Sequence, residues 1–199
     1  MQNILLSTTY FGPVQWYQKL YRTEEVFIER CESFQKQTYR NRCIIATTNG
    51  LQALTVPVER DQGDLISSLR ISDHGNWRHL HWQALQSAYG DSPFFEYYED
   101  DIRPFFTERN WERLVDYNDA ICRKMCELLD IQPNYELCTM HDELTKDFRT
   151  SINPKHPLPD LDFAPRPYYQ VYRQKHGFLP NLSILDLLFN MGPESIFFL

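Results

Sequence analysis

The sequence predicts a single α/β domain in which a mixed sheet, including a β-hairpin, packs against helices. Residues 43–58 contain two β-type runs that meet at Asn49-Gly50, a pair that favours a type I′ hairpin turn. Residues 77–130 instead show helical periodicity, which predicts the main helical block. Because 199 residues suffice to bury a core, residues 1–199 are expected to form one domain.

The first predicted elements are a strand, a helix and a second strand. Residues 3–9 contain an apolar β-type run, and residues 26–29 form a shorter one. Between them Gly12 marks a tight turn, and Pro13 is expected at the first helical position, where its missing N–H leaves no bond unmade. This order of elements favours parallel pairing of the two strands.

Three helices make up the predicted helical block. The clearest is Trp77–Tyr89, whose apolar residues recur at helical spacing and which Gly90 is expected to end. Ser92 is followed by proline and is expected to cap the next helix. Asn110 is expected to cap a third helix over residues 111–130.

The C-terminal third mixes a strand, an irregular stretch and a helix. Residues 135–140 have the pattern of a strand, whereas residues 153–167 contain too many prolines for regular structure. Residues 168–172 alternate weakly and are expected to form a last strand. Ser183 with Asp186 three residues later has the pattern of a capping box, which predicts a helix and assigns the Asp186 carboxylate a capping role.

Composition restricts the class of protein. A formal net charge of −7 argues against nucleic-acid binding, which requires a basic face. No stretch of about 18 uncharged apolar residues occurs, so no membrane insertion is expected. The first residues contain neither a basic region nor a long apolar one, and we expect a cytoplasmic location. The five cysteines form an odd set without secretory context and are expected to be reduced.

His81 is the best single candidate for chemistry. It lies four residues after Trp77 and therefore on the same apolar face of the predicted helix. A partly buried imidazole titrates near working pH and can act as a general base. The alternative is a core histidine that forms a hydrogen bond with the backbone.

A basic polar cluster at residues 35–42 precedes the hairpin. Within it, Arg40 and Arg42 can present guanidinium groups to a phosphate or carboxylate, while Asn41 orients the bound group. The alternative is a solvated charged surface, which is common for exposed arginines.

Four residues have the chemistry of zinc ligands: Cys122, Cys126, Cys138 and His141. The spacing of the first pair departs from the common zinc knuckle, and buried thiols commonly behave as small hydrophobes. The GxSxG, P-loop, Rossmann and HExxH patterns are absent from the sequence. We therefore expect neither a metal nor a cofactor.

Several segments, taken in order along the chain, resemble the WbqC-like protein family. Two departures accompany the resemblance: Thr8-Thr9 replaces the family's Gln-Pro, and residues 153–167 replace a longer segment that contains glycines and aromatics. The segments that carry the resemblance are Tyr10-Phe11-Gly12-Pro13 with Gln15 and Tyr17, Phe34-Gln35 followed by Asn41-Arg42, Leu54-Thr55-Val56-Pro57-Val58, Trp77 with His81 and Tyr89, and residues 182–190.

The resemblance implies a cytoplasmic enzyme of O-antigen or other surface-polysaccharide biosynthesis. Its substrate would be a sugar or sugar nucleotide, and its reaction the transfer of an aminoacyl group, such as glycyl, to an amine or hydroxyl. Two alternatives stay open: a non-catalytic protein that binds a sugar nucleotide or a partner protein of the same pathway, and a hydrolase of small amides or esters. The oligomeric state is not predicted.

The resemblance supplies no catalytic residues, so the expected mechanism rests on the residues themselves. His81 is expected to deprotonate the acceptor amine or hydroxyl. Arginines hold a phosphate or carboxylate, amides orient the donor, and tyrosines stack on the sugar. The substrate-binding residues in this mechanism are Tyr10, Gln15, Arg40, Asn41, Arg42 and Tyr89.

Overall fold

The computed structural model describes residues 3–59, 63–138 and 145–199. Besides two short 3₁₀ segments, at Ile66–Ser68 and Gly192–Phe198, the described residues form α-helices and β-strands. In chain order these are β1 (Ile4–Ser7), α1 (Val14–Arg22), β2 (Val26–Glu29), β3 (Arg42–Thr47), β4 (Gly50–Thr55), β5 (Val58–Glu59), β6 (Arg70–Ile71), α2 (Trp77–Tyr89), α3 (Phe95–Ile102), α4 (Pro104–Thr107), α5 (Leu114–Leu128), β7 (Tyr135–Cys138), β8 (Lys146–Asp147), α6 (Arg173–His176) and α7 (Ile184–Met191).

The central sheet is parallel and has the strand order β7-β2-β1-β8. Ile4 pairs with Val26, and Val26 pairs with Tyr135 on its other side. All four residues of β1 are buried, as expected of a parallel strand that is covered on both faces. The α/β class and the parallel pairing of the first two strands are thus confirmed. Strand β8 is too short to produce a periodic pattern, and nothing in the sequence predicted it.

Helix α1 connects β1 to β2 and anchors the chain on the sheet. It begins at Val14, so Pro13 occupies the N-cap in an extended conformation and not the first helical position. Trp16 and Tyr17 are almost fully buried, and the Trp16 indole N–H donates to the carbonyl of Ser7 at 2.9 Å. This bond joins the helix directly to the carboxyl end of β1.

The predicted hairpin is present as a separate two-stranded antiparallel sheet, β3 with β4. Its turn type was predicted wrongly. Thr47 pairs with Gly50, so Thr48 and Asn49 are the central residues of the turn, and neither has a positive φ. Gly50, which follows them, has a φ of 104°. A type I′ turn requires positive φ at both central residues, whereas this arrangement matches a turn followed by a left-handed glycine. Hydrogen bonds from the Thr47 hydroxyl to Gly50 and from the Asn49 N–H to that hydroxyl close the loop.

The helical block follows the prediction for α2 and departs from it at the caps. Gly90 has a φ of −54°, so it ends α2 without the left-handed conformation of a C′ glycine. The Ser92 hydroxyl donates to the carbonyl of Tyr89 and does not cap α3. Within the described residues, no helix has the length and apolar character needed to cross a membrane.

Helix α5 begins at Leu114, three residues later than predicted. The preceding residues pair with an extended segment: Ile71 N–H donates to the carbonyl of Glu112, and Leu114 N–H donates to the carbonyl of Leu69. Asn110 donates to Glu108 and does not cap the helix. Backbone pairing with the β6 region therefore overrides the helical pattern of residues 111–113.

The C-terminal region contains the irregular segment that the prolines predicted, but residues 168–172 form no strand. Tyr168 and Gln170 are held instead by side-chain hydrogen bonds to Asp186. The Ser183 hydroxyl accepts from Leu185 N–H at 3.3 Å, which confirms the N-cap of α7. The capping role predicted for the Asp186 carboxylate is wrong, because that carboxylate faces the core and accepts bonds there.

Candidate functional site

A cleft of about 360 Å³ opens at the base of the hairpin, where the chain enters β3 and leaves β4. We name it the hairpin-base cleft. One side comes from the segment before β3 and from its first residue, and the other from the end of β4 through the start of β5. Its lining residues are Phe34, Lys36, Gln37, Asn41, Arg42, Thr55, Val56, Pro57 and Val58.

Asn41 joins the two sides of the cleft. Its backbone carbonyl accepts a hydrogen bond from Val56 N–H at 2.8 Å, and its side-chain Nδ2 donates to the carbonyl of Val56 at 2.8 Å. The second bond fixes which arm of the amide is the donor. The other arm, Oδ1, is buried and accepts no hydrogen bond from any described residue. Asn41 therefore contributes a fixed and unused acceptor to this site.

Arg42 lies opposite Thr55 in the hairpin ladder and is half-buried. Its Nε is buried without a hydrogen-bond partner, and its guanidinium forms no ion pair within the part of the chain that the structure describes. Lys36 is exposed on the same cleft, beside Gln37, whose φ of 64° turns the loop. The two cations give the cleft a positive character although the protein is acidic overall.

The cleft also has an apolar wall, which is formed by Phe34, Val56, Pro57 and Val58. A site of this kind binds a ligand with an anionic group near the arginine and an apolar or ring face against the wall. Because arginine presents its N–H groups in a planar fork, a phosphate or carboxylate suits it best.

Arg40 does not join Arg42 in the cleft. Its guanidinium forms a bidentate ion pair with Glu32, with Nε 2.8 Å from Oε1 and Nη2 2.5 Å from Oε2. Both side chains are almost fully buried, and Glu32 also accepts from the Ser7 hydroxyl. In the structure, Arg40 ties the loop before β3 to the carboxyl end of β1.

His81 lies behind the hairpin and does not line the cleft. Its Nδ1 is 2.9 Å from the hydroxyl of Tyr10, and its ring packs 5.1 Å from that of Trp77. Burial lowers the pKa of His81 to about 4, an effect that interaction with the backbone of Thr55 partly offsets. His81 is therefore neutral at neutral pH and supports the strand that forms one wall of the site.

Tyr10 and Gln15, which were expected to line the pocket, are engaged elsewhere. Tyr10 is fully buried, and burial raises the pKa of its hydroxyl, which therefore stays protonated beside His81. The Gln15 side chain donates to Asp160 at 2.9 Å and accepts from Asn181 at 3.0 Å. These bonds attach the N-terminus of α1 to the proline-rich segment and to the residues before α7, and neither Tyr10 nor Gln15 lines the hairpin-base cleft.

Tyr89 belongs to a buried cluster around Asp186. The Asp186 carboxylate accepts from Tyr89 Oη at 2.9 Å, from Tyr168 Oη at 2.6 Å and from Gln170 Nε2 at 2.9 Å. Burial raises the pKa of Asp186, and the three donors act in the opposite direction. Because Tyr89 also accepts from Ala46 N–H at 3.3 Å, the cluster joins β3, α2, α7 and the C-terminal segment.

A larger cavity of about 400 Å³ lies at the amino end of the parallel sheet, near Lys19, Arg22 and Lys146. Each of these cations already has a partner. Lys19 pairs with Asp160 at 2.8 Å, Lys146 pairs with Asp162 at 3.1 Å, and Arg22 donates to the carbonyl of Leu199. Although this cavity is larger, the hairpin-base cleft is the better ligand site because its arginine is unpaired.

The cysteines show no arrangement for a metal within residues 3–59, 63–138 and 145–199, where no group of three or more candidate ligands occurs. His141 lies outside the described residues. Cys122 and Cys126 are buried thiols in α5. Their hydrogen bond, together with burial, raises the pKa of Cys122 well above its usual value, which disfavours the thiolate that zinc requires.

Comparison with known proteins assigns the family. The WbqC-like protein family matches residues 8–153 and 159–197, nearly the whole chain. The chain belongs to the WbqC-like protein family. A relative in this family is the uncharacterized protein Rv1507c of Mycobacterium tuberculosis (strain ATCC 25618 / H37Rv), 28% identical in an alignment 199 positions long that covers 86% of each chain. No solved structure matches this chain.

Two of the segments that carry the WbqC-like resemblance meet at the hairpin-base cleft. Asn41-Arg42 forms one side, and Thr55 to Val58 forms the other. The position of Asn41 and Arg42 before a strand marks them in the sequence, but no sequence signal indicates that Phe34 or Thr55 faces them. The interruption of the family match at residues 154–158 falls within the proline-rich segment, where the sequence also departs from the family pattern.

Proposed function

We propose that this WbqC-like protein is a cytoplasmic transferase of cell-surface polysaccharide biosynthesis that binds a sugar or sugar nucleotide in the hairpin-base cleft. The observation that carries the proposal is the state of Arg42. Its guanidinium lines the cleft and has no carboxylate partner among the described residues of an acidic protein. Such an arginine is available to a phosphate or carboxylate of a ligand.

The proposed reaction is transfer of an aminoacyl group, such as glycyl, from an ester or thioester donor to the sugar. The acceptor nitrogen or oxygen forms a bond to the acyl carbon, the C–O or C–S bond of the donor breaks, and the leaving group takes that electron pair. The proton of the acceptor passes to a base. The pathway is supported by the family resemblance, and the anionic character of the substrate by the two cations of the cleft.

His81 was expected to be that base, and its catalytic role stays a prediction. Its geometry supports a positioning role more directly, because Nδ1 already lies against Tyr10 and because the ring contacts the backbone of Thr55 behind the cleft. In the proposal, His81 holds the wall that faces Arg42. Transfer then depends mainly on bringing donor and acceptor together in one orientation.

A second candidate is a non-catalytic protein that binds a sugar nucleotide in the same pathway. It is favoured by one observation: the described residues that line the cleft include no carboxylate, histidine or cysteine. Lys36 and Thr55 are the reactive side chains that remain among them. A site with this lining can hold a ligand without transforming it.

Isothermal titration calorimetry with UDP-N-acetylglucosamine and UDP-glucose tests the binding proposal. We expect Arg42→Ala to raise Kd about tenfold or more, since hydrogen bonds to charged groups contribute about 1.5–3 kcal/mol. The matched control is Arg103→Ala, an exposed arginine paired with Asp100 on α3, which should leave Kd unchanged. Failure of the wild-type protein to bind either compound, or equal Kd values for the two variants, would contradict the proposal.

A turnover assay then separates the two candidates. The protein is incubated with the sugar nucleotide that it binds and with a panel of glycyl esters and thioesters, and mass spectrometry detects any gain of a glycyl group on the sugar. A gain that Arg42→Ala abolishes supports the transferase. Tight binding without any covalent product supports the binding protein.

A further inference from the structure

Two consecutive residues that line the hairpin-base cleft each carry a buried polar side-chain atom, and the two atoms differ in hydrogen-bonding character. Asn41 Oδ1 is an acceptor and Arg42 Nε carries a donor N–H, and neither has a partner among the described residues. Asn41 is 6% exposed, so water reaches its side chain poorly. Buried polar atoms are nearly always paired, so an unpaired donor and an unpaired acceptor on two residues of one cleft point to a group that binds there.

The fold fixes the orientation of the Asn41 amide. Asn41 Nδ2 donates to the carbonyl of Val56, which leaves Oδ1 as the free arm of the amide. The backbone of Arg42 is held at the start of β3 by its ladder position opposite Thr55. A group that pairs with both side chains offers a donor to Asn41 and an acceptor to Arg42.

We propose that the hairpin-base cleft selects ligands that carry an amide-type group, with adjacent N–H and C=O, beside their anionic group. The N–H donates to Asn41 Oδ1, and the C=O accepts from Arg42 Nε. This inference rests on the proposed function, because it specifies which anionic sugar ligands bind best. A hydroxyl in place of the amide supplies one group that rotates and therefore pairs less completely with two fixed atoms.

The rest of the cleft fits such a ligand. Lys36 and the terminal nitrogens of Arg42 remain for the phosphate or carboxylate, as neither residue has an ion-pair partner in the described segments. Phe34, Val56 and Pro57 offer apolar contact to a methyl group or a ring. Two sources supply this chemistry in different geometries. The acetamido group of an N-acetylated amino sugar is a trans amide and directs its N–H and C=O to opposite sides, whereas the imide edge of a uracil base directs them to the same side.

The experiment compares two pairs of probes by calorimetry on the full chain. N-acetylglucosamine 1-phosphate against glucose 1-phosphate tests the acetamido group, and UDP against ribose 5-diphosphate, which lacks only the base, tests the uracil. We expect the amide-bearing member of at least one pair to bind at least tenfold more tightly than its partner. The pair that shows the difference identifies the source of the amide.

Variants assign the selectivity to the two atoms. Arg42→Lys keeps the charge and removes the Nε donor, so the advantage of the amide-bearing probe should fall below threefold. Asn41→Leu removes Oδ1 and should reduce the advantage of the amide-bearing probe to the same extent. If Asn41→Leu does not fold, Arg42→Lys alone decides whether the amide is recognised. Lys36→Ala is the charge control, and it should weaken both members of a pair by the same factor.

The possible outcomes separate this inference from the proposed function. If both members of each pair bind equally and Arg42→Ala weakens both, the amide selectivity is wrong and the proposed anion site stands. Retention of the full advantage in Arg42→Lys also overturns the inference. If no probe binds the wild-type protein, the proposed function and the inference both fail.

Discussion

Asn41 and Val56 are joined by two hydrogen bonds, one from the Val56 N–H to the Asn41 carbonyl and one from the Asn41 side chain to the Val56 carbonyl, each 2.8 Å long. The pair links the chain that enters β3 to the chain that leaves β4. The two sides of the hairpin-base cleft are therefore fixed to each other by the fold, and the site is formed before any ligand arrives.

Asn41→Ala should lower the free energy of unfolding by about 2 kcal/mol, because it removes one of these bonds and leaves the buried carbonyl of Val56 unsatisfied. Urea denaturation measures the change. The matched control is Asn49→Ala at the exposed hairpin tip, expected to change stability by less than about 0.5 kcal/mol. Equal effects of the two variants would mean that the hydrogen bond from the Asn41 side chain to Val56 contributes nothing to the free energy of unfolding.

Arg40 and Arg42 are two residues apart and should behave oppositely. Arg40→Ala leaves the buried Glu32 carboxylate without its partner, so we expect a loss of about 3–5 kcal/mol in stability. Arg42→Ala should change stability by less than about 1 kcal/mol while weakening ligand binding. Chemical denaturation and calorimetry on both variants check the contrast. If the Arg40→Ala protein is stable but has lost ligand affinity, Arg40 binds the ligand and its ion pair is not structural.

The buried imidazole of His81 should make stability depend on pH in acid. Its pKa is about 4 in the folded protein against 6.5 for an unperturbed histidine, so the unfolded chain binds the proton first as the pH falls. Wild-type stability should therefore decrease between pH 6.5 and 4 by about 3 kcal/mol from this residue alone. Below pH 4 both states are protonated, and the loss stops growing.

The test of that pH dependence is the stability difference between wild type and His81→Gln, measured from pH 7 to pH 4. We expect the difference to shrink by about 3 kcal/mol as the pH falls, because glutamine does not titrate. A difference that stays constant for His81→Gln over this range would show that His81 is not desolvated.

Removal of one tyrosine hydroxyl from the cluster around Asp186 should lower the stability of the protein. Tyr168→Phe deletes a 2.6 Å hydrogen bond to a buried carboxylate, and we expect it to destabilise the protein by about 2 kcal/mol. The control is Tyr97→Phe, which alters an exposed tyrosine and should have little effect. Thermal unfolding compares the two variants, and equal midpoints would mean that the Tyr168 bond makes no net contribution.

Helices and hairpins of this fold could be predicted where residues close together in the sequence determine them. The helix at Trp77–Tyr89 and the hairpin follow from periodicity and from a Gly-containing turn, and both are present. The start of α5 could not be predicted, because residues 111–113 pair with a segment some forty residues earlier. Helical spacing in the sequence does not record such a long-range contact.

The candidate site was predictable only in part for the same reason. Asn41 and Arg42 stand out as polar residues before a strand, whereas the difference between Arg40 and Arg42 depends on Glu32, which the fold places beside Arg40 alone. Likewise, Asp186 has the spacing of a helix cap, but its partners Tyr89 and Tyr168 come from distant parts of the chain. Tertiary structure determines which hydrogen-bond or ion-pair partner each of these side chains has.

The ligand-binding role of Arg42 is tested most directly by an NMR titration that observes arginine Nε–H groups while UDP-N-acetylglucosamine is added, with the Arg42 signal assigned from its absence in Arg42→Lys. We predict that the Arg42 Nε–H signal shifts progressively and saturates, since this buried donor gains its missing partner in the hairpin-base cleft. If the Arg42 signal stays in place while that of Arg22, beside the larger cavity, moves, the ligand binds at the larger cavity and Arg42 is not its anion-binding residue.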